Sequence, residues 1–328
     1  MVAPASEVEP EFREERQDNP NCLIVDDGTP VDISYWTDPA DRRPNLFSSS
    51  FTRAFGEMCQ AHGVRGKFSV LPMPAGLGRI DQSLKGCPPA HLREFLHLVR
   101  KLIAPNFDIN PEFLTHGPAV DLASGRFKHV YEDVWADQAT VTEMTDYFAY
   151  AMRILNNVGL ACNGVTSPWM AGIRNERRYA EAIARATWRV YRRRLAWYFL
   201  HILSEGQPRW PWITWHSRKA GLTTVMVPAT TSDAFWPTLW ARSARAARQA
   251  RDAAVEALLS ADGRTGRVRE VFDAGCPIVI LSHWQSLYSN GRCAGLAALE
   301  RVVERIGEHL GDQVQWMRCS RLAALAAR

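Results

Sequence analysis

The chain has 328 residues, 39 Lys+Arg against 35 Asp+Glu, a formal net charge of +4, 46% hydrophobic residues and 23% charged ones. These values suit a soluble globular protein of one large domain or two ordinary ones, and they exclude global disorder, a fibrous repeat and a strongly basic nucleic-acid binder. No apolar run approaches the roughly 18 residues that a membrane-spanning helix needs, and the seven cysteines are odd in number and include no C-x-x-C pair, which suits reduced thiols in a cytoplasmic protein.

Residues 1–20 are rich in Glu, Arg and Pro and carry no apolar signal-like stretch, so they read as a flexible leader. Cys22 to Val25 is a short apolar run that stops at Asp26-Asp27-Gly28, the pattern of a buried strand and a polar turn. Phe51, Ala54, Phe55 and Met58 recur at helical spacing within 49–62, and Gly63 follows as a stop. The alternation continues with a strand over 67–71, a helix over 89–103, a strand near 113–115, a helix over 141–158 and a strand near 161–166. A helix over 175–186, a strand signal within 188–203, a strand over 222–227 and a long Ala/Arg helix over 233–260 come next. The last elements are a strand over 278–282, a helix over 293–309, a strand over 314–317 and a short terminal helix. Strands alternating with helices of ten or more residues predict an α/β fold with a parallel sheet, open or closed into a barrel.

In such folds the ligand site lies beyond the carboxyl ends of the strands, where the loops converge. Three strand ends carry reactive side chains: Asp26-Asp27, Thr115-His116-Gly117 and Ser282-His283-Trp284. Two readings fit the acidic doublet. Its carboxylates could cap turn N–H groups, or a cation could offset their mutual repulsion, one carboxylate holding the ion and the other accepting a proton. His283 could donate a proton near neutral pH. Trp169, Trp284 and Tyr288, close to these strand ends, are the candidate substrate-contacting aromatics. The cluster Trp210, Trp212 and Trp215 fits either a core or a stacking surface, and the arginines at 242, 245, 248 and 251 share one helix face that reads as solvated surface, with no nucleic acid and no membrane as partner.

Taken in order, the strand ends resemble the polysaccharide deacetylase (NodB-like) superfamily. The family's Thr-Phe-Asp-Asp-Gly is similar to Ile24-Val25-Asp26-Asp27-Gly28, its His-Gly-Val passage to His62-Gly63-Val64 ahead of Lys67-Phe68-Ser69-Val70, and its Leu-x-His to Leu281-Ser282-His283. The resemblance implies an irregular (β/α) barrel of seven or eight parallel strands over 21–328, with 233–275 as an added helical segment and a possible homo-oligomer contact. It implies Asp26 as general base, Asp27 and His116 as metal ligands and His283 as general acid. The family's second motif histidine is missing; Asp121 stands in its place, with His201 and His216 as alternatives. The family's arginine before Pro168 is also missing, leaving Arg174 or Lys67 to hold the base. The expected cofactor is a divalent ion, zinc first, with nickel, cobalt, iron or manganese as alternatives. The expected activity is hydrolysis of an acyl amide or ester on a carbohydrate-like small molecule. The rival expectation is a catalytically silent barrel that binds glycans or acts as a scaffold.

Overall fold

The structure is a computed structural model that describes residues 19–33 and 46–328. Of the expected leader, residues 1–18 lie outside the described residues, while Asn19 and Pro20 already belong to the first strand. In chain order the elements are β1 (Asn19–Gly28), α1 (Ser49–Ala61), β2 (Gly66–Val70), β3 (Gly78–Arg79), β4 (Ser83–Leu84), α2 (Pro89–Leu98), β5 (Phe107–Pro111), β6 (Pro118–Val120) and β7 (Phe127–Tyr131). They continue with α3 (Glu132–Gln138), α4 (Val141–Asn157), β8 (Gly164–Thr166), α5 (Glu176–Tyr191), β9 (Leu195–Phe199), β10 (Trp212–Ser217) and β11 (Leu222–Met226). The last part holds α6 (Trp236–Leu239), α7 (Ala244–Leu258), α8 (Arg267–Asp273), β12 (Ile278–His283), α9 (Trp284–Tyr288), α10 (Ala294–His309), β13 (Val314–Trp316) and α11 (Cys319–Ala326).

One sheet runs β12-β1-β2-β5 in parallel, with β13 also paired to β1. A second runs β11-β9-β8 in parallel, with β10 antiparallel on its edge. Parallel bridges Ile109↔Cys162 and Glu112↔Thr166 join β5 to β8. On the opposite side Thr230 and Thr231 donate their backbone N–H groups to Val279 O, and their hydroxyls accept from Val279 N and Leu281 N. The seven parallel strands therefore follow one another around a ring that closes through bridges and side-chain bonds as well as ladders, in keeping with the α/β barrel class read from the sequence.

Strand alternation sorts the side chains. Leu23, Val25, Phe68 and Val70 face the helices and join a large cluster with Phe51, Phe55, Tyr147, Phe148 and Ile306. Cys22, Ile24, Trp197, Phe199, Val225, Val279 and Leu281 form a second cluster closed by Met317, Cys319 and Leu322, so α11 plugs the amino end of the ring. Asp108 ties that plug down by accepting from Ser320 N at 2.6 Å and Ser320 Oγ at 2.9 Å.

Some element expectations shift. The strand expected near 113–115 lies at 107–111, and Phe113 instead takes a left-handed turn, φ 47°. The single helix expected over 233–260 is two, separated by residues 240–243, with Ser243 Oγ capping α7 through Ala246 N. Trp188 belongs to α5, so the strand signal read from 188 onward resolves to β9 alone. All seven cysteines are free and six are buried. No helix among the described residues is long and apolar enough to cross a membrane.

Candidate active site

The carboxyl ends of β1, β5, β8, β9 and β12 and the segment after β11 open onto a cleft of about 660 Å³, within the range of small-molecule sites. Strand register places the chemistry. Asp26 on β1 stands opposite His283 on β12, so the expected base and acid are neighbours across one ladder. Asp27 follows in the left-handed region, φ 63°, which turns its carboxylate away from the direction that strand alternation would give. Gly28 next to it admits no side chain, because a Cβ there would lie 2.2 Å from Ser69 O.

Three donor groups converge. Asp27, Glu112 and His116 each offer a ligand atom, and these atoms lie within 4.8 Å of one another. His116 Nε2 is 3.2 Å from Asp27 Oδ1 and 3.4 Å from Glu112 Oε1. A tetrahedral ion with bonds of about 2.0–2.1 Å spaces its ligands by about 3.3 Å, so these separations suit a shared cation. Asp27 Oδ1 is buried without a hydrogen-bond partner although the imidazole is so close. The residues present therefore fit a divalent ion. Glu112 is aimed by its other oxygen, which accepts from Asp27 N at 2.7 Å and Ser69 Oγ at 2.6 Å. Burial raises the Glu112 carboxyl, and the Asp27 charge beside it acts in the same direction.

His116 sits on a strained loop, φ 51°. Glu132 at the start of α3 holds that loop: its oxygens accept from the backbone N–H groups of Leu114 at 3.1 Å, Thr115 at 2.9 Å and His116 at 2.9 Å, and from Tyr147 OH at 2.7 Å. Burial pushes Glu132 up to about 7 against those donors. Trp169 meets the His116 ring edge-on at 4.3 Å between centroids.

Asp26 is buried and ion-paired with the fully buried Lys67, whose Nζ also donates to Thr166 Oγ1 at 2.7 Å. Burial raises the Asp26 carboxyl and the Lys67 charge opposes it. Of the two cations expected to hold the base, Lys67 is in place. Arg174 is on the surface, 3.5 Å from Asp137. His283 Nδ1 is 2.8 Å from Asp233 Oδ2, which also accepts from His283 N at 3.1 Å. Burial works to lower the imidazole, but the Asp233 bond and charge prevail and push it up to about 10. The Asp233 contact therefore favours the charged imidazolium, with Nε2 left for the cleft.

The structure separates other candidates from this group. Asp121 is about two-fifths exposed, caps Ser124 N at 2.8 Å and pairs with Lys128 at 3.6 Å, so it belongs to the β6–β7 turn. Glu112, in place of Asp121, is the second carboxylate beside Asp27 and His116. His201 joins Glu176 at 2.9 Å, and the exposed His216 of β10 joins Thr223 of β11 at 3.0 Å. Trp284 is fully buried, 4.3 Å from the Phe51 ring and 5.0 Å from the Phe68 ring, and Tyr288 packs 5.1 Å from Phe47; both point into the core rather than the cleft. Trp169 does line the cleft, as does Trp236, 5.0 Å from the His283 ring. Glu112, Glu132 and Asp233 were missed in the sequence. Only Glu112 left a signal there, the Glu-x-x-x-His spacing to His116.

No family model matches the chain, and no curated protein matches it. Among solved structures it is similar to a family 4 carbohydrate esterase pseudoenzyme mutant with restored enzymatic activity, at 11% identity and TM-score 0.42, over 94% of this chain and 68% of the other. A further structure of a mutant of that pseudoenzyme matches at 10% identity and TM-score 0.40 over the same shares. A family 4 carbohydrate esterase from Streptomyces lividans, in complex with acetate, matches at 14% identity and TM-score 0.38, over 82% and 85%.

Proposed function

We propose that this protein is a metal-dependent hydrolase that cleaves an acyl amide or ester. The observation that carries the reading is the convergence of Asp27 Oδ1, Glu112 Oε1 and His116 Nε2 at a cleft end that Asp26 and His283 also reach. A divalent ion held by those three atoms supplies Lewis acidity toward an acyl oxygen and lowers the pKa of water. Asp26 takes the proton of the attacking water, and its burial makes it a stronger base than a solvated carboxylate. Lys67 fixes the orientation of Asp26 from inside the ring. His283, charged and oriented by Asp233, gives its Nε2 proton to the departing amine or alkoxide. Asp26 and His283 stand opposite each other, so the proton gained by one can restore the other before the next turnover.

Asp27, Glu112 and His116 offer two carboxylates and one imidazole, the same donor types as the expected Asp27, His116 and Asp121, so zinc remains the first expectation, with manganese and iron also suited to this set. Metal analysis of tag-free protein tests the reading: about one ion per chain is expected, lost in Asp27→Ala and Glu112→Ala. His283→Ala should keep the ion while hydrolysis of an unactivated acyl amide, whose amine departs only when protonated, falls by about 10²–10⁴-fold. Absence of bound metal from metal-replete protein, or metal retained by both ligand variants, overturns it.

The second reading, a silent binding barrel, is favoured by one observation. Lys67 bonds directly to Asp26, and a lysine so placed stabilises the carboxylate against accepting a proton. Metal-loaded protein that binds small amides without hydrolysing activated esters would decide for it.

A further inference from the structure

Resting on the hydrolase reading and its cleft, we infer that the substrate is a small amide or ester whose scissile carbonyl carries apolar groups, in place of a saccharide chain. Among the described residues, the polar side chains that line the cleft are mostly committed to one another. Asp26 is held by Lys67, Asp233 holds His283, Asp27, Glu112 and His116 face one centre, and Ser167 Oγ bonds Tyr179 OH at 2.6 Å. Ser232 and Gln285 remain, and Gln285 Oε1 is buried without a partner, free to accept one substrate N–H. Every hydroxyl of a sugar ring that enters such a site gives up its water without an equivalent bond in return, and an unpaired buried hydroxyl is costly.

The rest of the wall is apolar. Trp169, Met170, Ile202 and Trp236 form the rim, with Phe199 and Leu281 beneath. Met170 is 42% exposed and Ile202 45% exposed, so two large aliphatic side chains stand open to water at the mouth of a catalytic cleft, where a ligand would cover them. The metal side of the cleft carries Trp169 against His116 and the acid side carries Trp236 against His283, so apolar surface flanks both the acyl and the leaving-group ends of a bound carbonyl. Met170 and Trp169 hold their positions through positive φ, 67° and 43°, a strained turn that keeps both side chains at the rim.

The test uses straight-chain primary amides from acetamide to octanamide, neutral probes that need no metal, with binding to the full chain read by tryptophan fluorescence. Each methylene that reaches the wall should tighten binding by up to about fourfold. Octanamide should bind at least tenfold tighter than acetamide, and Ile202→Asp and Met170→Asp should weaken octanamide more than acetamide. An N-acetylglucosamine trimer should not compete. A flat series, or a trimer that binds more tightly than octanamide, overturns the inference. Hydrolysis of activated acetyl esters by metal-loaded protein is measured alongside. Hydrolysis with a flat amide series sinks the apolar substrate and leaves the hydrolase standing. A steep series with neither metal nor hydrolysis sinks the hydrolase and leaves an apolar binding cleft.

Discussion

The two halves of the ring interior are equally buried and chemically opposite. On β9, β11 and β12 the inward side chains are Trp197, Phe199, Val225, Val279 and Leu281. On β2, β5 and β8 they include Lys67, Ser69, Asp108, Asn110, Glu112 and Thr166, all buried. The apolar half gains stability from area alone. The polar half must pair the groups it hides, and most are joined by a chain of contacts: Lys67 to Asp26 and Thr166, Ser69 to Glu112, and Asp108 to Asn163 and Ser320, with Asn110 Nδ2 left unpaired. The contrast divides the cleft: the polar half brings Glu112 and His116 to it and sets Lys67 against Asp26, while the apolar half brings His283 from β12 and Asp233 from just past β11.

That division can be broken from either side. The largest effect is expected at the metal ligands, where Asp27→Ala or Glu112→Ala should reduce metal affinity by more than the roughly 10–100-fold that outer-shell changes cost, read by titration calorimetry. Next, Lys67→Met leaves Asp26 buried without its cation and should destabilise the fold by about 3–5 kcal/mol in urea melts. Lys67→Met combined with Asp26→Leu should recover most of that loss. A single variant costing under about 1 kcal/mol would show that the pair does not hold the polar half together. On the apolar side Leu281→Ala should cost about 2–5 kcal/mol and leave metal content unchanged. If metal is lost there too, the two halves are not independent.

A smaller effect concerns pH. His283 is raised in the folded protein to about 10 from its ordinary 6.5, so its contribution to stability is complete below about pH 6.5 and is lost as pH rises through 10. His283→Gln should flatten that part of the stability profile, measured as denaturation midpoints at pH 6, 8 and 10. A profile of unchanged slope would mean that the Asp233 contact does not hold the proton. The smallest effect is at Asp121. Asp121→Ala should leave metal affinity and the denaturation midpoint unchanged, because the residue sits on an exposed turn.

The apolar half was legible in the sequence because its strands are written in Val, Ile, Leu and aromatic residues, as at 222–227 and 278–282. The polar half was not. In Phe107-Asp108-Ile109-Asn110-Pro111 the inward positions are Asp and Asn, so the strand reads as a loop and the expectation slid to Phe113-Leu114-Thr115. Asp121 was the expected ligand because it stands where the resembled family's motif has its second histidine, whereas the carboxylate beside His116 is Glu112, four residues upstream. The doublet at 26–27, His116, Lys67 and His283 were readable because each lies at a strand end or beside a motif. Glu132 and Asp233 could not be, since nothing local marks a carboxylate that works through tertiary contact with a loop or a ring nitrogen. Trp284 misled for the converse reason: it follows His283 directly, but it starts a new helix whose first turn faces inward.

The position of β1 between β2 and the pair β12 and β13 has a consequence for synthesis. Asn21 registers with Ile278 and Trp316, and Cys22 Sγ donates to Met317 O across 295 residues. While the chain is being made, one edge of this apolar strand stays without its neighbours until residues 278–316 emerge, an open ladder that can recruit foreign strands. Such long-range pairing slows folding. Fusions or truncations at the carboxyl terminus should therefore lower the soluble yield before they touch any catalytic property.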